Sequence, residues 1–525
     1  MISDQGSVVR ELFARATEKQ QAGSLGEAAE LYGQVLAAQP DSVAAHFNLG
    51  IVRQGLGDLA GAVASFEQAL ALRPELAEAH NSLGLTLRRQ EKLEEAKAHY
   101  ERALALKPEY ADAWSNLGVL LRQLDELDAS EKCLTKALSL RPENAGILDN
   151  LGNTLRDMGR LAESAACHER TIALDPRFPK AHNNLGYTLR KQGKLQEARS
   201  SFELAVLLDP RSADIRWNLC LLDLLESDFA AGWRGYEVRH ERKENRPRSF
   251  SKPQWRGEPL DGARILLHSE QGLGDSMQFL RYVPMVVAAG GRVILNVPAT
   301  LRRLAAELPE VDTVTVEGEA LPEFAWHCPL LSLPLAFKTT LDSIPSQVPY
   351  LKAPEEAMHA ADRLEWPEPE LRVGLVWSGN PKCAEDRMRS MALKNFEPLL
   401  EMESFRFFSL QLGTAAGQLD AVRGPIMDLR PAIHDFADTA ALVEHLDLVI
   451  TVDTSVAHLA GALAKPTWLL LPFAPDWRWL LEREDSPWYP TMRIFRQAQF
   501  GDWAAVMERV RSELAELRRV RAAKG

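Results

Sequence analysis

Residues 265–282, ILLHSEQGLGDSMQFLRY, decide the fold of the second half of the chain. The apolar run from Ile265 to Leu267 is typical of a buried strand, and a polar turn with Gly272 and Gly274 follows it. Asp275 opens a predicted helix, whose N-terminus offers free N–H groups beside glycines that allow close approach. The stretch predicts the first strand–turn–helix unit of a nucleotide-binding α/β domain. Asp275 is then either a carboxylate at the mouth of the ligand crevice or a plain helix cap.

Strand and helix patterns alternate on both sides of this stretch. A charged linker rich in proline and glycine covers residues 247–262, and its Trp255 is expected to anchor on the following domain. Apolar runs predict strands at 263–268, 292–297, 311–316, 371–377, 405–411, 426–428 and at both ends of the segment 447–472. The alternation predicts parallel sheets in two Rossmann-like lobes, residues 263–355 and 371–525, with an irregular passage from 324 to 355.

Composition excludes several classes of protein. The net charge of −12 argues against a general nucleic-acid binder. No run of about 18 apolar residues and no N-terminal signal pattern occur, which predicts a cytoplasmic protein without membrane insertion. The five cysteines are scattered and form no CxxC, so reduced thiols are expected rather than disulfides or a zinc site.

The first 246 residues repeat every 34 positions. Prolines recur at Pro40, Pro74, Pro108, Pro142, Pro176 and Pro210, and small residues recur at Ala28, Ala62, Ala96, Ser130, Ser164 and Ala198. The pattern closely resembles the tetratricopeptide repeat, in which two helices cross at a small residue and a proline ends the second helix. Six units run from about 9 to 212. A degenerate seventh, about 213–246, has lost the proline and carries Trp217, Trp233 and Tyr236, as expected of a unit that caps the stack or docks the next domain.

One polar position recurs at the sixth place of each unit. It is occupied by Asn48, Ser82, Asn116, Asn150, Asn184 and Asn218. A primary amide both donates to and accepts from a peptide backbone, so the asparagines are predicted to grip an acceptor polypeptide; the alternative is that they hydrogen-bond neighbouring turns. The arrangement resembles the protein O-GlcNAc transferases, which join an asparagine-lined tetratricopeptide superhelix to a glycosyltransferase domain. Ser82 breaks this ladder.

Two polar segments follow predicted strands of the second lobe. SGNPKCAEDRMRS, residues 378–390, supplies Ser378, Lys382, Arg387 and Arg389 as candidate ligands for a phosphate. VDTSVAHLAGALAKP, residues 452–466, places Asp453, Thr454, Ser455 and His458 at the start of a predicted helix. Hydroxyls beside free N–H groups suit a phosphate or diphosphate, although an ordinary N-cap explains the turn and core packing explains the histidine equally well.

The second segment resembles the nucleotide-sugar motif of heptosyltransferase-like GT-B glycosyltransferases, with Ser455 where glycine is usual. GLGD, residues 272–275, resembles the same family, whose aspartate at this place is the proposed catalytic base. The resemblance covers roughly 260 to 515 and implies an α/β GT-B fold of two Rossmann-like lobes after an all-α tetratricopeptide superhelix. The whole chain resembles bacterial tetratricopeptide-repeat glycosyltransferases, some of which modify flagellin with nonulosonic acids such as pseudaminic acid.

An aromatic segment, PFAPDWRWLLEREDSPWYP, occupies residues 472–490. Its tryptophans and Tyr489 either stack on a base or sugar or pack on the sheet edge, and Arg478 is a candidate ligand for a donor carboxylate or phosphate. A closing amphipathic helix is predicted at about 501–520. The GT-B resemblance implies that this helix crosses back to the first lobe.

These observations predict inverting transfer of a sugar from a nucleotide donor to a Ser or Thr hydroxyl of a protein held by the repeats. Asp275 is the expected base, and Gly272 and Gly274 belong to the predicted donor site. The resemblance implies a metal-independent enzyme without a cofactor, using a CMP-nonulosonate or a UDP-sugar, with flagellin as one acceptor. Three alternatives stay open: a UDP-GlcNAc-type protein transferase, a non-catalytic scaffold with a degenerate transferase domain, and heptose transfer to lipopolysaccharide.

Overall fold

The computed structural model describes residues 2–242, 248–366, 371–381, 383, 386–422 and 424–522. The chain forms two compact units, Met1–Thr188 and Leu189–Gly525.

The first unit is built from pairs of antiparallel helices. They are α1 Ile2–Gln21, α2 Leu25–Ala38, α3 Val43–Leu56, α4 Leu59–Leu72, α5 Ala77–Arg89, α6 Leu93–Leu106, α7 Ala111–Gln123, α8 Leu127–Leu140, α9 Ala145–Asp157, α10 Leu161–Leu174 and α11 Pro179–Lys191, of which the last three residues belong to the second unit. The second helix of a pair ends two residues before the recurring proline, as α2 does before Pro40. The 34-residue period therefore describes the helix boundaries correctly.

A glycine in the first helix of a pair, such as Gly50 in α3 or Gly84 in α5, explains why the two helices come so close. A Cβ on Gly50 would lie 2.6 Å from the ring of Phe66, and a Cβ on Gly84 would lie 2.9 Å from the ring of Tyr100. The small residues at the crossing, such as Ala62 and Ala96, are fully buried. Because small residues recur every 34 positions where two helices cross, the two helices of each pair pack closely in the same way.

The second unit begins with helices and continues into α/β structure. Its helices are α12 Leu195–Leu208, α13 Ala213–Leu225 and α14 Phe229–Tyr236. The indole N–H of Trp233 donates to the carbonyl of Thr339 at 3.0 Å, and the ring of Trp233 meets that of Trp477 edge to face at 5.3 Å. The aromatic cluster of the degenerate repeat therefore docks on the α/β region, as the sequence predicted. Trp255 of the linker is likewise buried against Phe337.

The first sheet has four parallel strands in the order β3-β2-β1-β4. The strands are β1 Arg264–His268, β2 Arg292–Val297, β3 Val311–Val316 and β4 Trp326–Pro329. The helices that accompany them are α15 Leu273–Phe279, α16 Val283–Ala288, α17 Arg302–Ala305, α18 Leu333–Ala336 and α19 Glu355–Ala361. Strand β1 is central, so the turn that follows it opens at the middle of the sheet edge.

The second sheet has six parallel strands in the order β10-β9-β8-β5-β6-β7. The strands are β5 Leu371–Val376, β6 Phe405–Ser409, β7 Ile426–Asp428, β8 Leu448–Val452, β9 Thr467–Leu471 and β10 Met492–Arg496. The helices are α20 Asp386–Arg389, α21 Glu397–Leu400, α22 Phe436–Glu444, α23 Ser455–Ala462 and α24 Trp503–Ala522. Read from β7, this is the strand order of a doubly wound sheet, and its switch point lies between β5 and β8.

Four details differ from the sequence prediction. Strand β4 lies inside the segment 324–355 that was expected to be irregular, and β10 is a further strand beyond the aromatic segment. Helix α15 begins at Leu273 and not at Asp275. Helix α24 packs on its own sheet, where Val506, Met507, Val510 and Leu514 join the core between strands and helices of the second lobe. Burial of its apolar side chains in the core of the second lobe thus explains the position of α24.

Within the described ranges, no helix is both long and apolar enough to cross a bilayer.

Candidate functional site

The turn after β1 presents Asp275 at the third position of helix α15. Its Oδ2 accepts a hydrogen bond from the backbone N–H of Gly272 at 2.9 Å, so the carboxylate caps its own helix. Its Oδ1 accepts from Nη2 of Arg478 at 2.5 Å. The Asp275 side chain keeps 21% of its surface exposed. The interpretation of Asp275 as a helix cap is therefore confirmed, and its place at a ligand crevice stays a prediction.

Gly274 brings the two predicted motifs into contact. A Cβ on Gly274 would lie 2.8 Å from Cδ2 of His458 and 3.3 Å from Cα of Ser455. Only a residue without a side chain lets α15 approach the start of α23 this closely. The turns after β1 and β8, which belong to different sheets, consequently form one site.

Arg478 is the residue that ties the site together. It is 7% exposed, and its Nε donates to Oε1 of Gln278 at 2.7 Å while its Nη1 donates to Oδ1 of Asp476 at 2.8 Å. Its third nitrogen is bonded to Asp275, and its guanidinium lies 4.2 Å from the ring centre of Trp477. Burial opposes the charge of Arg478, but Asp476 and Asp275 raise the pKa of its guanidinium well above the usual value. Arg478 is thus a clamp on the Asp275 turn, and the prediction that it binds the donor is not supported by its geometry.

The turn after β8 lies at the switch point of the second sheet. Thr454 is the N-cap residue of α23, but its hydroxyl pairs with the hydroxyl of Thr451 at 3.1 Å and caps no helix N–H. Ser455 is half-buried at the first helical position. Because the first N–H groups of a helix have no intrahelical partner, this end of α23 can receive an anion.

Two titratable side chains of this turn are buried. Burial, reinforced by Asp476, raises the pKa of the Asp453 carboxyl to about 6, while Arg389 opposes the rise. Burial also holds the pKa of His458 well below its ordinary value, with neighbouring arginines adding to the effect. Nδ1 of His458 lies 2.9 Å from the hydroxyl of Tyr489, and its ring stacks on Trp479. This placement favours packing over a direct contact of His458 with a phosphate.

The loop after β5 is organised around two buried polar side chains. Oε1 of Gln411 accepts from the backbone N–H of Ser378 at 2.9 Å. Asp386 accepts from Nε of Arg389 at 3.1 Å and from the hydroxyl of Ser390 at 2.9 Å. The Asp453 carboxylate favours the charged form of Arg389 and opposes the effect of burial on its pKa, so the loop after β5 and the turn after β8 interact electrostatically.

Two further predicted cations belong to this loop. Arg387 lies on the exposed side of α20. Lys382 falls outside the described residues.

The aromatic segment is part of the core. Trp477, Trp479, Trp488 and Tyr489 are each at most 2% exposed. Trp477 packs on Trp488 with ring centres 6.1 Å apart. The rings are therefore surrounded by protein, as the packing alternative predicts.

Three contributors to the site were not predicted: Gln278, Asp476 and Arg281. Oδ1 of Asp476 accepts from the backbone N–H of Arg478 at 3.0 Å. An aspartate commonly forms such a turn with the residue two positions later, so the sequence itself could have indicated this contact. Arg281 is 3% exposed and donates to the carbonyl of Trp488 at 2.6 Å and to the hydroxyl of Tyr350 at 3.1 Å. Its partners lie far along the chain, so no local pattern reveals it.

The recurring asparagines make contacts within the repeats. Nδ2 of Asn48 donates to the hydroxyl of Tyr32 at 3.2 Å, and Nδ2 of Asn116 donates to Oδ1 of Asn81 at 2.9 Å. In the same way Asn184 donates to both carboxylate oxygens of one aspartate, at 2.9 and 3.0 Å. These bonds correspond to the structural alternative for the amide nitrogens and leave the amide oxygens available.

The remaining asparagines differ from those three. The Asn150 side chain has no hydrogen-bond partner among the described residues and is half-exposed. Asn218, in the second unit, is also half-exposed and takes part in an interaction of its own.

All five cysteines are unpaired, and Cys383 is the exposed one. Across the described ranges, no three His, Cys, Asp or Glu side chains are arranged to hold a metal ion.

Comparison with known proteins identifies the helical repeats. Residues 41–109 match one tetratricopeptide-repeat family, and residues 81–145 and 150–214 match another. The helical pairs described above are therefore tetratricopeptide repeats, which suggests that this region binds another protein.

One curated relative and several solved structures are similar to the chain. Protein FlbA of Caulobacter vibrioides is 29% identical over 315 residues, which are 54% of this chain and 52% of FlbA. The chain thus spans about half of the length of this relative. YrrB, a tetratricopeptide protein with an unusual peptide-binding site, is 22% identical with a TM-score of 0.30, covering 36% of this chain and 96% of YrrB. PilF of Pseudomonas aeruginosa is 21% identical with a TM-score of 0.34, covering 38% of this chain and 90% of PilF.

Proposed function

We propose that this protein is an inverting protein O-glycosyltransferase of the GT-B type that takes a sugar from a nucleotide donor. The observation that carries the proposal is the contact between the two motifs. Gly274 packs directly on the start of α23, which places the Asp275 carboxylate beside the switch point of the six-stranded sheet. Ligands of doubly wound sheets bind at this point, outside the carboxyl ends of the strands.

Asp275 has the capacity to act as the base. An ionised carboxylate has about four lone-pair sites, and Gly272 and Arg478 use one on each oxygen. A Ser or Thr hydroxyl of the acceptor then donates to a remaining site. As its oxygen bonds to the anomeric carbon, its proton passes to Asp275, the bond from that carbon to the phosphate oxygen breaks, and its electron pair leaves with the nucleotide.

The leaving phosphate requires hydrogen-bond donors and positive charge. The N-terminus of α23 supplies backbone N–H groups at Ser455, and the Ser455 hydroxyl is a further donor. Arg389 supplies the positive charge, because its guanidinium interacts electrostatically with the Asp453 carboxylate of this turn. Arg387 and Lys382 remain proposed contributors from the same loop.

The acceptor is proposed to be a protein bound by the repeats. The amide oxygens of Asn48, Asn116 and Asn184 and the whole Asn150 amide are available to a polypeptide backbone. The amide nitrogens of Asn48, Asn116 and Asn184 each already donate within the repeats. The donor is proposed to be a CMP-nonulosonate or a UDP-sugar. Transfer of pseudaminic acid to flagellin is one specific form of the proposal, and it depends on resemblance in architecture.

One observation favours a second candidate, a non-catalytic scaffold. Both carboxylate oxygens of Asp275 and all three nitrogens of Arg478 are engaged within the protein, as in a purely structural cluster. On this alternative the repeats recruit a partner and the α/β region binds no donor.

Calorimetric titration with CMP, UDP, GDP and ADP separates the candidates. Preferential binding of CMP supports a nonulosonate donor, and preferential binding of UDP supports a hexosamine donor. If none of the four binds, the scaffold replaces the enzyme.

Transfer to a purified polypeptide is then measured for Asp275→Asn. We expect turnover to fall at least about a hundredfold while nucleotide affinity is retained. The control is Asp485→Asn, whose carboxylate is exposed and pairs with Arg483 on the surface. Full activity of Asp275→Asn would remove the proposed base.

A further inference from the structure

A cavity outside the proposed transferase site lies beside helix α14. It has a volume of about 660 Å³. Its walls include Phe229 and Trp233 of α14, Trp255 of the linker, and Leu335 and Ala336 of α18. This volume is within the range of small-molecule sites, roughly 300–1,000 Å³, and such sites have predominantly apolar and aromatic walls.

The polar groups in the walls are satisfied by the protein. The indole N–H of Trp233 donates to Thr339, and that of Trp255 donates to the carbonyl of Glu258 at 2.7 Å. The carboxylate of Glu237 accepts from Nη1 of the buried Arg239 at 2.6 Å. Arg239 also pairs with Glu270 at 2.7 Å, so it compensates the charge of Glu237 only in part. The cavity therefore offers apolar surface beside one partly compensated carboxylate.

Three cations surround the cavity: Arg234, Arg256 and Lys338. All three line it and are exposed. In the part of the chain that the structure describes, none of these three side chains pairs with a carboxylate, although the chain as a whole is acidic, with a net charge of −12. An anionic group placed here gains favourable interactions with three cations. They outnumber the two neighbouring carboxylates, those of Glu237 and of Glu258, whose Oε2 accepts from the backbone N–H of Arg256 at 2.7 Å.

We propose that this cavity binds a medium-chain carboxylate, with its apolar chain between α14 and α18 and its carboxylate among Arg234, Arg256 and Lys338. The apolar lining matches the chain, and the three cations match the head group. A volume of this size suits a small molecule, since a protein partner needs a much larger contact area. The proposal is independent of any transferase activity.

Octanoate is the probe, titrated calorimetrically into the full-length protein. We expect saturable binding with one site per chain and no comparable binding of methyl octanoate, which has the same chain without the charge. Arg234→Gln and Lys338→Gln are each expected to weaken octanoate binding about fivefold, the effect of one partly solvated ion pair. Arg102→Gln and Lys136→Gln, on exposed helix faces of the first unit, are the matched controls.

Filling the cavity provides a second measurement. Ala336→Phe puts a ring into the space, and Ala230→Trp, at an exposed lining position on α14, covers it without replacing a core residue. We expect both to abolish octanoate binding; if Ala336→Phe does not fold, Ala230→Trp decides. The proposal is overturned if the unmodified protein does not bind octanoate saturably, if the charge or filling variants bind it unchanged, or if methyl octanoate binds as tightly.

Discussion

Nη2 of Arg478 donates to Oδ1 of Asp275 at 2.5 Å, and this bond joins residues 203 positions apart in the chain. It connects the turn after the central strand of the first sheet with the segment after β9 of the second. Since Arg478 also holds Asp476 and Gln278, one buried guanidinium fixes side chains from both α/β lobes. The proposed base is thereby positioned by the second lobe.

Replacement of Arg478 by alanine is expected to destabilise the second unit strongly. The change leaves the carboxylates of Asp275 and Asp476 without their shared cation in a largely buried place, at a cost of about 3 kcal/mol. Arg483→Ala is the control, because Arg483 pairs with the exposed Asp485 and such pairs contribute about 0–1 kcal/mol. Urea denaturation followed by tryptophan fluorescence measures both, and equal losses would show that Arg478 is no clamp.

Most of the architecture followed from periodicity in the sequence. The 34-residue step of Pro40 and its equivalents predicted the helix pairs, and the alternation of apolar runs predicted parallel strands. Strand β4 was missed because its sequence, Trp326–Pro329, is only four residues long and ends in proline, which gives no period to detect. Strand β10, Met492–Arg496, was missed because it is only five residues long and two arginines interrupt its apolar residues.

The candidate site was predictable only in its local parts. Asp275 and the turn at Asp453 stand in short motifs at strand ends, so the sequence reveals them. The role of Arg478 depends on Asp275, and that of Arg281 depends on Trp488, 207 positions away. Whether an aromatic or cationic side chain faces a ligand or the core is decided by such distant contacts, which no local pattern contains.

Gly274→Ala tests the contact between the motifs. The added methyl group would lie 2.8 Å from the ring of His458, and the ring is held by Tyr489 and Trp479, so relief is costly. We expect a loss of about 1–3 kcal/mol in the stability of the second unit and weaker nucleotide binding. Gly417→Ala, where the added methyl group meets no atom within 4 Å, should change neither; a similar result for the two variants would contradict the close approach.

Asp453 predicts a specific dependence of stability on pH. Burial raises the pKa of its carboxyl to about 6 in the folded chain, above the ordinary value of 3.8. Between these values the folded state binds more protons than the unfolded state, so this carboxyl lowers stability progressively as pH rises from about 4 to about 6. Asp453→Asn cannot titrate and should gain in melting temperature relative to the unmodified protein over this window. A difference that stays constant from pH 4 to pH 7 would contradict the raised pKa.

Replacements of two asparagines of the repeats are expected to differ in their effects on stability and on acceptor binding. Asn184 donates twice to Asp149, which also bonds Nδ1 of the buried His168 at 3.0 Å. Asn184→Ala therefore removes two donors from a buried carboxylate and should cost about 1–3 kcal/mol. Asn150 has no hydrogen-bond partner among the described residues, so Asn150→Ala should leave the stability of the first unit unchanged and raise the KM for a polypeptide acceptor. Thermal unfolding and acceptor titration of both variants measure this, and an unchanged KM in Asn150→Ala would remove Asn150 from the proposed acceptor site.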